Sequence, residues 1–592
     1  MEKEAVEESV PKKEGRLGLA LSGGGFRASF FHVGVLAQMA RLGLLRHVEG
    51  ISTVSGGSII GALYYIHVKR LLEEKPDDQI VDADYVAIVE RIEQDFLDGV
   101  QQNIRMRTFL NPLKSLRMMF ANYSRSDRIA ELYDEYFYRP VLDPNRATPI
   151  EMRELKIHPK DDHPQFNPQA HNHRRQAKVP ILLLNATCLN TGHNWRFEAI
   201  RMGEPPREGT VAQEIDKNLR LRRPPSYEAV IPKQQNIELG SAVAASACVP
   251  GLFPPLAISD LYPNDIRVQL VDGGVHDNQG IAGLVDLGCT RFVVSDACGQ
   301  MRDEIQPPTT IPAVLGRANS VLMDRVREEG LFRLIRRENS PVAFMHLLEG
   351  LTGNAVSWIG PDGKPVEPPK RERGPLRSSE SFGVSCEVQD LLSQLRTDLD
   401  SFSDIEAYAL MYDGYQMSEA ELQNTRGIKD LISTAAGAPA VRWRFLQIAP
   451  WMAQPTPLLI KQLQVGRQTV MKVFRLSRKV TAVTAVVLIP ILFGLWQLTQ
   501  PWIQAQLARQ FTLGGLLLTL AIFALGFIPV LSRLFKAFRF LSGPTSFIVR
   551  FIARGLLPAI GGLFIAIHLF IFDRLFLQEG KIEKLGPPPN RG

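Results

Sequence analysis

The sequence predicts an α/β protein: a helix-flanked, mainly parallel sheet, followed by a helical region that becomes membrane-like near its end. Three observations predict it. Residues 15–75 alternate apolar strands with helix-period segments, the opening of a βαβα unit. Three strand ends carry Ser-Gly-Gly-Gly, Ser-Gly-Gly and Asp-Gly-Gly. Beyond residue 479, three uncharged runs are each long enough to cross a bilayer core as a helix.

The first strand is Leu17 to Leu21, and the helix after it keeps Phe31, Val35, Met39 and Leu42 on one face. The second strand runs from Gly50 to Val54. It turns through Ser55-Gly56-Gly57 into a helix from Ser58 to about Leu72. Residues 84–140 read as helical, with Tyr85, Val89, Ile92, Phe96 and Val100 aligned, and 158–177 as a surface loop. Strands resume at Val179 to Cys188, Asn194 to Ile200, Ile266 to Asp272 and Arg291 to Asp296. Residues 304–350 read as helical. Residues 360–380 form a Pro/Gly/charge-rich linker, and helix returns from Val388 to Asn424. The expected organisation is a charged tail (1–14), an α/β domain (15–300), a helical extension (301–450) and a membrane region (451–592). Its spans are 480–498, 511–532 and 555–572.

The flanking charge sets the expected orientation. Lys461, Arg467, Lys472, Arg475, Arg478 and Lys479 precede the first span, and only Arg509 separates it from the second. Arg533, Lys536, Arg539, Arg550 and Arg554 lie between the second and third. Positive charge then holds residues 1–479 in the cytoplasm. Three full crossings put the tail after Asp573 outside; a re-entrant, Gly-rich third segment returns it. The 592 residues carry 68 Lys+Arg against 62 Asp+Glu, a diffuse +6 that does not mark a nucleic-acid binder. Cys188, Cys248, Cys289, Cys298 and Cys386 are scattered and odd in number. That argues against a disulfide framework or structural zinc and for a reducing compartment. The polar start has no apolar signal region, so no secretory leader is expected.

Each glycine-rich strand end has a chemical reading beside a plain one. In Ser22-Gly23-Gly24-Gly25-Phe26-Arg27, backbone N–H groups at a helix start form an anion or oxyanion site. The plain reading is a tight turn. In Thr53-Val54-Ser55-Gly56-Gly57, a serine on a strand-to-helix turn is the nucleophile-elbow arrangement, with Thr53 in place of the usual first glycine. The plain reading is a helix N-cap. In Val271-Asp272-Gly273-Gly274, a strand-end aspartate is placed to act as a general base; the plain reading is an Asp-Gly turn.

As a set, in this order, these motifs resemble the patatin-like phospholipase family over about residues 15–300. Ala245-Ser246 through Pro254-Pro255 matches the family's A-S-x-x-x-P-x-x-F-P block, and Asn185-Ala186-Thr187 a strand end often seen in it. The resemblance implies a patatin-like sheet and a Ser55–Asp272 dyad working through an acyl-enzyme. It makes Gly23, Gly24 and Gly25 the oxyanion donors and requires no cofactor or metal. Ser22-Gly23-Gly24-Gly25-Phe26-Arg27-Ala28 departs from the plant D-G-G-G pattern and is similar to the cytosolic phospholipases of animals. By that likeness Arg27 binds substrate phosphate or positions the oxyanion loop. His32 and His276 are the candidates for a triad histidine, and both read better as structural. The loop histidines His158, His163, His171 and His173 lack metal-ligand spacing.

The implied function is hydrolysis of fatty-acyl esters of membrane phospholipids or lysophospholipids, with the bilayer as partner and oligomeric state open. The expected setting is an inner membrane of bacterial type with the catalytic domain cytoplasmic. An acyltransferase using the same dyad, or a non-catalytic lipid-binding scaffold, are the alternatives. Met106 to Phe120 mixes apolar residues with Arg105, Arg107, Lys114 and Arg117, the pattern of an interfacial lid or lipid-entry element; the plain reading is a core helix with solvated basic edges.

Overall fold

The computed structural model describes residues 15–589 apart from 119–122, 207–216, 300, 302, 338–339, 352–355, 367–382, 434–439 and 509–556. Its centre is a sheet of nine strands: β1 (Leu17–Leu21), β2 (Val48–Val54), β3 (Ile181–Cys188), β4 (Asn194–Phe197), β5 (Met202–Gly203), β6 (Leu256–Ile258), β7 (Val268–Asp272), β8 (Arg291–Asp296) and β9 (Val342–His346). The order is β5-β4-β3-β2-β1-β8-β9, with β7 beside β3 and β6 beside β7. The five strands from β3 through β2, β1 and β8 to β9 pair in parallel, and β4 to β7 join antiparallel. β1 is buried along its whole length, as a central parallel strand covered on both faces must be.

Helix α1 (Gly25–Arg41) follows β1, α2 (Gly56–Glu74) follows β2, and α3 (Asp82–Val100) packs on both. The single apolar face expected for α1 proves too narrow. Every residue from Phe26 to Ala40 is buried, because helix Asp404–Asn424 and α3 cover the sides turned from the sheet. The first of these contacts is close. A methyl on Gly34 would lie 1.9 Å from the Met411 carbonyl oxygen, and one on Gly414 2.2 Å from that of Phe31.

One expectation is corrected. Residues 304–350 are not helical throughout: helix Ile311–Ile335 gives way to β9, the parallel edge strand beside β8. Its Ala343 and Met345 are fully buried, so packing against β8 decides its state. The chain divides into two compact units, Met1–Thr108 with Tyr123–Thr469 and Gly580–Gly592, and Phe109–Asn122 with Val470–Glu579. Within the first, the Ile405 N–H donates to the Gly580 carbonyl (3.0 Å) and Leu585 is buried. The tail from Gly580 therefore packs within the first unit.

Of the expected spans, 480–498 falls within helix Arg478–Ala508, whose Val483, Val486, Ile489 and Phe493 are exposed. The span 511–532 lies outside the described residues. Across the third, one described helix, Gly561–Glu579, is long and apolar enough to cross a membrane. Most of the 360–380 linker lies outside the described residues. Its start pairs Trp358–Ile359 with Pro365–Val366.

Candidate active site

Strand register brings the candidate residues together. β2 pairs with β3 as far as Val54 opposite Asn185, and β7 then takes over the next positions of β3, with Asp272 opposite Ala186. Ser55, the residue after Val54, is thus delivered beside Asp272. The Asn-Ala-Thr strand end holds both sides of this junction. Asn185 Nδ2 donates to Ser52 Oγ (3.0 Å) and to the Thr53 carbonyl (2.9 Å), while Thr187 Oγ1 donates to the Asp272 carbonyl (2.9 Å).

Ser55 has φ 50° and ψ −118°, a conformation that costs a non-glycine residue on the order of 1–3 kcal/mol. Surrounding groups enforce it. Its N–H donates to Ser246 Oγ (3.0 Å), which is bonded to Ser58 Oγ (2.8 Å). Thr53 Oγ1 lies 2.9 Å from Ser58 Oγ and donates to the Leu183 carbonyl (3.1 Å). Thr53 thus braces the elbow with a hydrogen bond where the usual pattern has glycine. The following glycines are required by proximity, since a methyl on Gly56 would sit 2.1 Å from the Gly25 carbonyl oxygen and one on Gly57 2.2 Å from that of Leu21. Gly56→Ala is expected to destabilise the protein by about 1–3 kcal/mol, read as a lower urea midpoint; an unchanged midpoint would contradict this packing.

Asp272 is buried. Burial pushes its carboxyl up to about 6, against the Gly274 N–H and the Ser55 hydroxyl, which both favour the carboxylate. The Gly274 bond is 2.8 Å, and the Ser55 interaction is the weaker of the two. Loose contact between nucleophile and base is common before substrate binds. The Asp272 N–H donates to the Cys248 carbonyl (2.9 Å) and that of Gly273 to Ser246 (3.2 Å). The Ala-Ser block therefore supports both residues.

The glycine loop closes the third side. Gly23 is in van der Waals contact with the elbow, as a methyl there would lie 3.2 Å from Ser55 Cβ. Its N–H, however, donates to the Asn278 carbonyl (3.0 Å). One of the three expected donors is thus already engaged. Gly24 (φ 141°) and Gly25 (φ 59°) make no N–H hydrogen bond among the described residues and are only half-buried. The Asn278 carbonyl carries no side-chain signature that a sequence would show.

Arg27 is buried (3% exposed), and its guanidinium donates to the carbonyls of Ser393 (2.9 Å), Leu395 (3.0 Å) and Ala297 (3.1 Å). His32 bonds Ser295 Oγ (2.7 Å) and the Ser22 carbonyl (3.0 Å), and burial pulls its pKa down to about 4. Both its nitrogens are spent away from Ser55. His276 is held neutral by burial, and Asp277 is the largest charge acting on it. Asp296, Cys298 and His346 converge as metal ligands would. Arg327 fills that position instead, its guanidinium reaching His346 Nε2 (3.1 Å), Cys298 Sγ (3.4 Å) and Asp296 (3.8 Å). The loop histidines do not converge: His163 and His171 each accept a local backbone N–H.

A mostly parallel, helix-flanked sheet with this glycine loop and serine elbow on neighbouring strands is the patatin fold. Residues 19–285 match the family model described as patatin-like phospholipase, so the chain carries a domain of that family. Among solved structures, human GIVD cytosolic phospholipase A2 is similar at 12% identity and a TM-score of 0.34, over 71% of this chain and 60% of that one. Its complex with methyl gamma-linolenyl fluorophosphonate matches at 14% and 0.30 over 71% and 59%. VipD from Legionella pneumophila matches at 12% and 0.24, over 77% and 71%. The chain thus spans about 60% of the length of the human protein. No curated protein matches it.

Proposed function

We propose that this protein is a serine acyl hydrolase that cleaves fatty-acyl esters of membrane phospholipids or lysophospholipids. The observation that carries the reading is the register that sets a strained Ser55 beside a buried Asp272 at the ends of β2 and β7. Ser55 Oγ attacks the ester carbonyl as its proton passes to the Asp272 carboxylate. The oxyanion forms against the N–H groups of Gly24 and Gly25. The lipid alcohol leaves with the proton from Asp272, and the acyl group stays on Ser55. Water, deprotonated by Asp272, then attacks the acyl-enzyme and frees the fatty acid. The test is fatty-acid release from mixed phospholipid vesicles by the full-length protein. Tight vesicle binding with no release by the wild type would overturn the reading in favour of a lipid-binding module.

Anchoring in the bilayer belongs to the same proposal. Its support is exposed apolar side chains on helices Arg478–Ala508 and Gly561–Glu579, surface that water alone would not favour. The interfacial segment is narrower than Met106 to Phe120. Arg105 pairs with Asp398, Arg107 bonds Gln102 and stacks on Tyr136, and residues 119–120 lie outside the described residues. Helix Pro112–Arg117 keeps Leu113 (77% exposed) and Leu116 (51%) beside Lys114 and Arg117. Reversing Lys114 and Arg117 to glutamate is expected to lower activity on anionic vesicles by about thirtyfold or more, at roughly 1 kcal/mol per cation, and to spare a soluble ester. Equal loss on both substrates would refute an interfacial role.

A further inference from the structure

The family match ends at residue 285, yet a segment more than a hundred residues further on lies against the glycine loop. The Phe26 N–H donates to the Asp398 carbonyl (3.4 Å). A methyl on Gly25 would meet the backbone of Thr397 and Asp398 at 3.0–3.2 Å. Arg27 reaches across to Ser393 and Leu395 with one nitrogen and to Ala297 with another. The segment is itself tethered on two sides. Arg396 is buried between Asp400 (2.6 Å) and Glu406 and donates to the carbonyls of Ser401 and Gly466. Asp398 pairs with Arg105, whose own N–H donates to the Leu399 carbonyl (3.0 Å).

This matters because of what glycine is. Gly24 and Gly25 both hold positive φ, and a glycine peptide can rotate among many directions unless its neighbours stop it. An oxyanion donor works only when it already points at the place where charge will develop. We propose that residues 393–399 are a strap belonging to the catalytic machinery. It fixes the direction of the Gly24 and Gly25 N–H groups, with Arg27 as the positioning residue that binds strap to loop. The role of the strap in catalysis rests on the Ser55 reading; its hold on the loop does not.

The test uses full-length protein in detergent micelles, with two disrupting variants, one rescue variant and two readouts. Arg27→Lys keeps the charge but loses the planar fork that spans separate carbonyls. Asp398→Ala releases the strap from Arg105, and Asp398→Asn, which still accepts from it, serves as the rescue. The readouts are kcat and KM on p-nitrophenyl butyrate and amide hydrogen exchange over residues 22–30. Arg27→Lys is expected to lose about 10²-fold in kcat, as a 1 Å misplacement does, with KM within about twofold. Exchange over 22–30 is expected to rise about tenfold or more in Arg27→Lys and Asp398→Ala, and to return toward wild type in Asp398→Asn. Wild-type exchange in both variants overturns the proposal, whether or not kcat falls. Faster exchange at undiminished kcat overturns it too. If wild type and Ser55→Ala are equally inactive, the Ser55 reading fails, while the exchange data still decide whether the strap holds the loop. If Arg27→Lys does not fold, the Asp398 pair decides alone.

Discussion

Ser55→Ala reduces fatty-acid release from phospholipid vesicles to background, a loss on the order of 10⁴–10⁶-fold. The variant is a clean one. Alanine keeps the Cβ, and the bond that braces the elbow comes from the Ser55 N–H to Ser246, which the substitution leaves in place. Its melting midpoint is therefore expected to stay near that of the wild type. Ser55→Gly separates chemistry from strain: it is equally inactive, but it removes the cost of a non-glycine residue at φ 50° and melts higher. Release that survives in Ser55→Ala would remove this serine from the mechanism. A Ser55→Gly protein that melts lower would show that the elbow stores no strain.

Asp272→Asn produces the other large effect, a loss of about 10⁴-fold, since an amide cannot take the serine proton. In the wild type the base works as a carboxylate, so activity rises with pH through about 6, where burial has moved the group, and levels off above. Stability runs the opposite way. The folded pKa lies above the ordinary carboxylate value, so the folded protein favours the protonated acid. The stability this confers is fully present below about pH 4 and is lost as pH rises through about 6, on the order of 3 kcal/mol in all. Asp272→Asn is therefore expected to melt higher than wild type at pH 8, with the gap closing near pH 4. A pH–rate profile flat between 5 and 8, or no stability gap at pH 8, would remove Asp272 as the buried base.

The positions that read correctly from the sequence are those set by local pattern. β1 and β8 declare themselves as apolar runs between turn residues, and their bounds agree with the expected strands. Ser55 and Asp272 sit at strand ends next to glycines, so the bonding geometry that singles them out is written within a few residues. Arg27 was legible as an arginine placed to hold something, but its partners lie 366 and 368 residues away, so sequence could not say whether they were phosphate or backbone. The Asn278 carbonyl that occupies the Gly23 N–H is a main-chain atom, which every residue has. β9 was hidden inside a helical stretch because its state is settled by β8, across a gap in sequence. The return of residues 580–589 to the first unit depends on Ile405, a contact that charge bias and hydropathy do not encode.

The close crossing at Gly34 and Gly414 bears on how the protein can be cut. A fragment ending at residue 285 would contain the whole family-matched region and would still strip α1 of one side of its packing, leaving Phe30, Phe31 and the Gly34 notch facing water. Such a stripe invites aggregation. The homologous region and the autonomous folding unit therefore have different ends in this chain, and an expression boundary has to fall after Asn424, where the second helix of that crossing is complete.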